Sequence, residues 1–431
     1  VGSRPLHAVL LPPQAAGGRL LDALAAAIDG TGPALLPLDP ALPRRRLDEL
    51  LTAFAPVSIE TAEDSGRKAL GRSGTAASPG VADDVAVVLA TSGSTGVPKG
   101  AELSGAALQA CARASLARLG ALPGERWLCC LPTHHISGLG ILVRSLVAGS
   151  TPVLSARLDA DVVASAVAGS GRRAQAETGC GYLSVVPTQL RRLLDAGAPL
   201  MQFRAILLGG AAIPPGMLDE AAAAGARVVT TYGMTETCGG CVYDGVPLDD
   251  VLVADTADGR IKISGPVLFS GYRLAPELTA AALHDGWFVT SDLGGFGADG
   301  RLRIRGRADD VINSGGEKVV AGQVEDALRG CPAVRDAAVV GTPDPHWGER
   351  VTALVIPADP ADPPSLERIR EQVSARLPRY AAPQALLLVT EIPLLPSGKP
   401  DRQLLLRIAR SRDCGPGAGS GSDAGRGTES G

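Results

Sequence analysis

The sequence predicts an α/β protein in two units, and three observations carry that prediction. Short β-like runs alternate with helix-like runs along most of the chain, the pattern of layered sheets and helices rather than of a sandwich or a helical bundle. Val85–Ala90 (VAVVLA) is a continuous apolar run of strand length, as expected of a strand covered on both faces. Near Arg307–Asp310 the strands and turns give way to a charged stretch, after which a fresh strand-helix pattern continues to about Arg410.

The first well-marked element after Val85–Ala90 is a helix. Ser104 can accept a hydrogen bond from a first-turn N–H that the helix itself leaves unpaired. Leu108, Cys111, Ala112, Ser115, Leu116 and Leu119 then recur on one face, and Gly120 can adopt the left-handed conformation that ends a helix. Ala205–Leu208, Arg227–Thr231, Arg260–Ser264, Leu302–Arg305, Ala337–Val340 and Thr352–Ile356 read as further strands. There is no internal repeat of fixed period. From Ser411 the sequence is almost free of large apolar residues and cannot offset its own ordering entropy, so a disordered tail is expected over 411–431.

Composition bounds the function. The 431 residues are 45% hydrophobic and 20% charged, which suits a globular chain with a full core. With 41 basic and 45 acidic residues the net charge is −4, which gives no support to a nucleic-acid partner. The 8 cysteines are irregularly spaced and make no disulfide scaffold, so a reducing compartment is expected. The run Ala8–Leu11 is too short for a signal-peptide core. The most apolar stretch, Leu139–Leu154, is interrupted by Arg144 and Pro152 and falls short of the roughly 20 residues that cross a bilayer. A cytoplasmic location without stable membrane insertion follows as an expectation.

The segment Thr91–Gly100 (TSGSTGVPKG) lies between the apolar strand and the capped helix, where backbone amides and small hydroxyls can close around a phosphate. Its glycines let main chain approach closely, Ser92, Ser94 and Thr95 offer hydroxyls, and Lys99 adds a mobile charge. It is not a Walker loop, because Pro98 precedes the lysine and Gly100 follows it where that motif requires Ser or Thr.

This loop resembles the signature loop of the adenylate-forming superfamily, which holds acyl-CoA synthetases, nonribosomal adenylation domains and luciferases. Later segments are similar in the same order: LLGGAAIP (207–214), TTYGMTET (230–237), GWFVTSDLG (286–294), GRADDVINSGGEKV (306–319) and LPSGKPDR (395–402). The resemblance implies a large N-terminal ATP- and acid-binding domain of layered sheets and helices over 1–306, a hinge over 307–310, and a small mobile α+β domain over 311–410. It implies ATP, Mg²⁺ and coenzyme A as cofactors and co-substrate: a carboxylate attacks the α-phosphate and expels pyrophosphate, and a thiol then captures the acyl adenylate.

Residue by residue, the resemblance places Thr91, Ser92, Gly93, Ser94, Thr95, Gly96 and Lys99 around the β- and γ-phosphates. Thr235 falls at the α-phosphate, and Glu236 with Thr235 at the metal, where a carboxylate oxygen suits a hard cation. Gly209, Gly210, Ala211, Tyr232 and Gly233 fall at the adenine, and Asp292 with Arg307 at the ribose hydroxyls. Lys399 is the expected adenylation lysine, an ammonium able to neutralise charge that grows between carboxylate and phosphate. Gly315, Gly316 and Lys318 would serve coenzyme A after a domain rotation about Asp309.

Within the superfamily the chain resembles the o-succinylbenzoate-CoA ligases of menaquinone synthesis, through LPTHHISGL (131–139), LSVVPTQLRRLL (183–194) and TCGGCVYDGVPLDDV (237–251). That acid carries two carboxylates, of which only the succinyl one is activated. The other must be held by different donors, with His135, Ser184, Thr188, Gly239 and Gly240 as candidates. Cys238 and Cys241 cannot fill a structural zinc site without a second pair and read as small residues lining the acyl pocket. The alternatives are a fatty or aryl acyl-CoA ligase, or a non-catalytic or carrier-linked adenylate-binding module. A homodimer is left open.

Overall fold

In the computed structural model the expected strand spans Val85–Thr91, and its first five residues are buried on both faces of a seven-stranded sheet. The structure describes residues 3–62, 68–70, 79–91, 98–168, 179–395 and 400–413, and side chains within these outside 13–17, 68–69 and 412–413. The chain divides into two compact units, with the division after Asp309.

In the large unit, the first sheet runs in the order Gly271–Tyr272, Lys99–Ser104, Val85–Thr91, Ala34–Pro37, Leu6–Leu10, Ser58–Thr61, Lys68–Ala69. Its centre is parallel and its flanks antiparallel. A second sheet runs Val246–Pro247, Gly239–Tyr243, Val228–Met234, Ala205–Gly209, Cys180–Val185, Arg126–Cys129, Val153–Leu154. Helices cover these strands, so runs such as Ala205–Leu208 are apolar at every position. A third sheet, antiparallel throughout, holds Leu252–Asp255, Arg260–Ser264, Leu283–His284, Trp287–Phe296 and Leu302–Arg307.

The helix Gly105–Leu119 forms as its pattern demands. The Ser104 hydroxyl accepts from the Ala107 N–H at 3.1 Å, all six residues of the expected face are buried, and Gly120 ends the helix at φ +64°. One expectation fails here. The segment after the apolar strand does not lead directly into this helix, because Lys99–Ser104 is itself a strand, paired antiparallel with Val85–Thr91. The glycine-rich segment therefore joins two strands and does not sit at a helix N-terminus.

The small unit has one sheet, in which Glu317–Val320, Val311–Ser314, Gly348–Pro357 and Val334–Asp344 are successive neighbours and Ala385–Leu388 adds to Gly348–Pro357. Val334–Asp344 and Gly348–Pro357 extend well past the apolar segments that mark them in sequence, because cross-strand pairing carries their polar ends. The final helix, Arg402–Asp413, also runs past Arg410, so order reaches beyond the expected start of the tail. No helix among the described residues is long and apolar enough to cross a membrane.

Candidate active site

Of the residues expected at the phosphates, Thr91 closes one strand and Lys99 opens the next, and the two are paired across the ladder. Ser92, Gly93, Ser94, Thr95 and Gly96 lie outside the described residues, as does Lys399. Lys99 Nζ stands 5.7 Å from the centre of the Tyr272 ring, within cation–π range.

The strand Val228–Met234 delivers Tyr232 and Gly233 and runs into the short turn Thr235–Thr237, which holds Thr235 and Glu236. The turn is closed by its own last residue: the Met234 N–H donates to the Thr237 hydroxyl at 2.9 Å, and that hydroxyl meets the Gly239 carbonyl at 2.8 Å. The Phe269 N–H donates to the Glu236 carbonyl at 2.9 Å, and the Tyr272 hydroxyl donates to Glu236 Oε1 at 2.9 Å. Among the described residues no cation pairs with Glu236. A carboxylate held by a neutral donor, with no cation of the described residues competing for it, fits the chemistry of a hard divalent ion.

Of the residues expected at the ribose, Asp292 and Arg307 lie opposite each other on paired strands, and Arg307 Nη1 is 3.4 Å from Asp292 Oδ1. The Tyr232 hydroxyl donates to Asp292 Oδ2 at 2.8 Å. Burial pushes the Tyr232 phenol well above its ordinary pKa, and the Asp292 charge adds to the effect. The phenol therefore stays a donor at any working pH. The glycines have a second role that sequence alone does not show. A Cβ on Gly209 would come 2.2 Å from Thr231 Oγ1, and one on Gly233 would come 2.0 Å from the Gly239 carbonyl oxygen. Strand-to-strand packing already demands their small size, whereas Gly210, at φ +84°, turns the chain out beside the half-buried Ala211.

The candidates for the acid are brought together only in part. His135 precedes the helix Ile136–Val147, and its carbonyl accepts from the Leu139 N–H at 2.9 Å; a Cβ on Gly239 would lie 3.7 Å from Ile136. His134 packs on His135 at 4.5 Å between ring centres and lies 4.0 Å from Asp39. Burial lowers the His134 pKa while Asp39 works against it. Gly240 accepts from the buried Cys111 thiol at 3.6 Å. Ser184 is buried on its strand, but Thr188 is exposed at the start of the helix Pro187–Asp195 and does not share that environment. Cys238 and Cys241 are free, buried thiols; burial raises both, Cys241 to about 12, which keeps them protonated. Among the described residues no three or more His, Cys, Asp or Glu side chains are grouped to hold a metal ion.

Sequence reasoning missed Arg144. It sits on the helix Ile136–Val147, only 8% exposed, with its guanidinium 4.4 Å from the centre of the Trp127 ring and Nη2 donating to Ser184 Oγ at 3.4 Å. Its Nε has no hydrogen-bond partner, and among the described residues no carboxylate pairs with it. The signal was present in the sequence as the one charge that interrupts Leu139–Leu154. In the small unit, Gly315 (φ +60°) and Gly316 (φ +86°) make the turn between Val311–Ser314 and Glu317–Val320, and Lys318 is exposed on the second strand. The Trp347 ring packs on Gly315, where a Cβ would come 2.7 Å from it.

The AMP-binding enzyme family matches residues 26–273, and the AMP-binding enzyme C-terminal domain matches residues 323–399. A probable 2-succinylbenzoate–CoA ligase of Mycobacterium tuberculosis is 47% identical over 337 residues, spanning 75% of this chain and 85% of that protein. The o-succinylbenzoate CoA synthetase of Bacillus subtilis, solved with its acyl-adenylate intermediate, superimposes with a TM-score of 0.77 at 26% identity, covering 94% of this chain and 88% of that one. The same enzyme solved with ATP and magnesium ion also gives a TM-score of 0.77 at 26% identity, covering 94% and 90%. With the family's two parts matched over residues 26–273 and 323–399 and a relative 47% identical over 85% of its length, the chain belongs to the AMP-binding enzyme family.

Proposed function

We propose that this protein is a 2-succinylbenzoate–CoA ligase acting in menaquinone biosynthesis. The observation that carries the choice of acid is Arg144, a buried guanidinium with an unused Nε and no carboxylate partner among the described residues. A buried cation without its counter-ion is costly, and a ligand carboxylate supplies one. An acid with a single carboxylate, consumed in the reaction, leaves Arg144 unmatched; an acid with a second carboxylate satisfies Arg144 and Ser184 together. The identity of the Mycobacterium relative supports the same reading.

In the first half-reaction an oxygen of the succinyl carboxylate attacks the α-phosphorus of ATP, and the bond to pyrophosphate breaks. In the second, the coenzyme A sulfur attacks the acyl carbonyl, AMP leaves, and the thiol proton passes to solvent. Lys99 and the Thr91 loop neutralise the β- and γ-phosphates, Thr235 steadies the α-phosphate, and Lys399 bridges it to the incoming carboxylate. Glu236 with Thr235 would hold Mg²⁺, which supplies charge to the phosphate oxygens. Asp292 accepts from the ribose hydroxyls while Tyr232 and Arg307 fix its orientation. Asp309 is the proposed hinge, next to the division between units, and Gly315, Gly316 and Lys318 serve the thiol step.

Pyrophosphate release over a panel of acids, with and without coenzyme A, tests the function. Release with 2-succinylbenzoate and not with medium-chain fatty acids is the expected result, and the reverse overturns it. Arg144→Met should raise KM for 2-succinylbenzoate about 10- to 100-fold, the loss expected for hydrogen bonds to a charged group. An analogue lacking the ring carboxylate should not respond to the substitution; an equal loss for both acids would remove Arg144 from this role.

A further inference from the structure

Tyr272 lies outside every segment that marks the proposed nucleotide site in sequence, yet it touches two of that site's charges. Its hydroxyl donates to Glu236 Oε1 at 2.9 Å, and its ring faces Lys99 Nζ at 5.7 Å. We propose that Tyr272 is a positioning residue that holds Glu236 for the metal and Lys99 for the phosphates by standing between them as a neutral partner to both. This rests on the ATP site proposed above and adds to it a residue and a division of labour.

The surroundings fix the ring from several sides. Tyr272 pairs with Ala101 on the strand that begins at Lys99, so ladder register sets the ring beside the lysine. Its N–H donates to Thr279 Oγ1 at 2.8 Å. The Phe269 ring meets it edge-on at 4.9 Å, and the Phe269 N–H binds the Glu236 carbonyl at 2.9 Å. The turn that presents Glu236 and the aromatic ring that packs on Tyr272 are thus tied by one backbone bond.

The physical case is one of reserving charge. A carboxylate and an ammonium close to one site gain by pairing, and a direct pair would neutralise the metal ligand and the phosphate cation together. A phenol satisfies a carboxylate oxygen without supplying a full charge. Its ring face attracts the ammonium weakly enough for phosphate to displace it.

The test is ATP binding to the full chain by calorimetry, with and without Mg²⁺ and with no acid present. Wild type should bind ATP more tightly with Mg²⁺. In Y272F, which keeps the ring, that Mg²⁺-dependent gain should fall about tenfold, the low end for a hydrogen bond to a charged group, while metal-free ATP binds as in wild type. In Y272L, which also removes the ring face, metal-free ATP should itself bind about two- to fivefold more weakly. An unchanged melting temperature for Y272F separates this from a folding defect, and titrating Y272F with excess Mg²⁺ should restore its ATP affinity. The same Mg²⁺ dependence in Y272F and wild type overturns the role of Tyr272 alone. Failure of wild type to bind ATP overturns the nucleotide site and Tyr272 with it.

Discussion

The two ends of the proposed nucleotide site hold their carboxylates in opposite ways. Asp292 is provided for by the protein itself: Tyr232 donates to one oxygen at 2.8 Å and Arg307 lies 3.4 Å from the other. Glu236 has a phenol in the same relation, Tyr272 at 2.9 Å, but among the described residues no cation. The difference fits the ligands proposed for the two carboxylates. A carboxylate that accepts from a neutral diol loses nothing by sharing an arginine, and gains a fixed orientation. A carboxylate meant for a divalent ion must keep its charge uncommitted, so a neutral donor has to position it.

Exchanging or removing these partners should break the comparison unevenly. The largest effect is expected from Glu236→Gln, which keeps the acceptor and loses the charge: pyrophosphate release should fall on the order of 100- to 1,000-fold, with the Mg²⁺ dependence flattened. If release in that variant keeps a wild-type response to Mg²⁺, Glu236 is not at the metal. Asp292→Asn should cost about 10- to 100-fold in kcat/KM for ATP. It should also remove the preference for ATP over its 2′,3′-dideoxy analogue, and a preserved preference would place the ribose elsewhere. Arg307→Met should be the mildest. Arg307 is nearly half exposed, and such a pair contributes at most about 1 kcal/mol, or roughly fivefold in ATP affinity, shrinking as salt rises. An Arg307 effect larger than that of Asp292→Asn would mean that the guanidinium acts on the nucleotide directly.

Much of this architecture is legible in the sequence, where a local rule decides it. Val85–Ala90 had to be a buried strand because nothing polar interrupts it, and Ser104 and Gly120 bracket a helix because their side chains, or lack of one, fit its ends. The strand Lys99–Ser104 was not legible: KGAELS mixes charge and small residues, and it becomes a strand through its partner across the ladder. Thr188 stands near Ser184 in sequence but sits on a different face, because a helix begins between them. Arg144 and Tyr272 carried only faint marks, one as a charge in an apolar run and the other as an unremarked aromatic, since their importance lies in what they face.

By itself the sequence determined the class of fold, the glycine-rich segment with its hydroxyls and lysine, and, through the family resemblance, which two carboxylates to look for, Glu236 and Asp292. The fold class and the glycine-rich segment follow from composition and spacing, which act over a few residues; the carboxylates are what the resemblance implies. Only the tertiary structure decided which charges are spoken for. Tyr272 is 36 residues from Glu236, Tyr232 is 60 residues from Asp292, and Arg144 is 40 residues from Ser184. Whether a charge is paired depends on the few ångströms around it, and strand register and helix packing set those distances, with no trace in neighbouring residues.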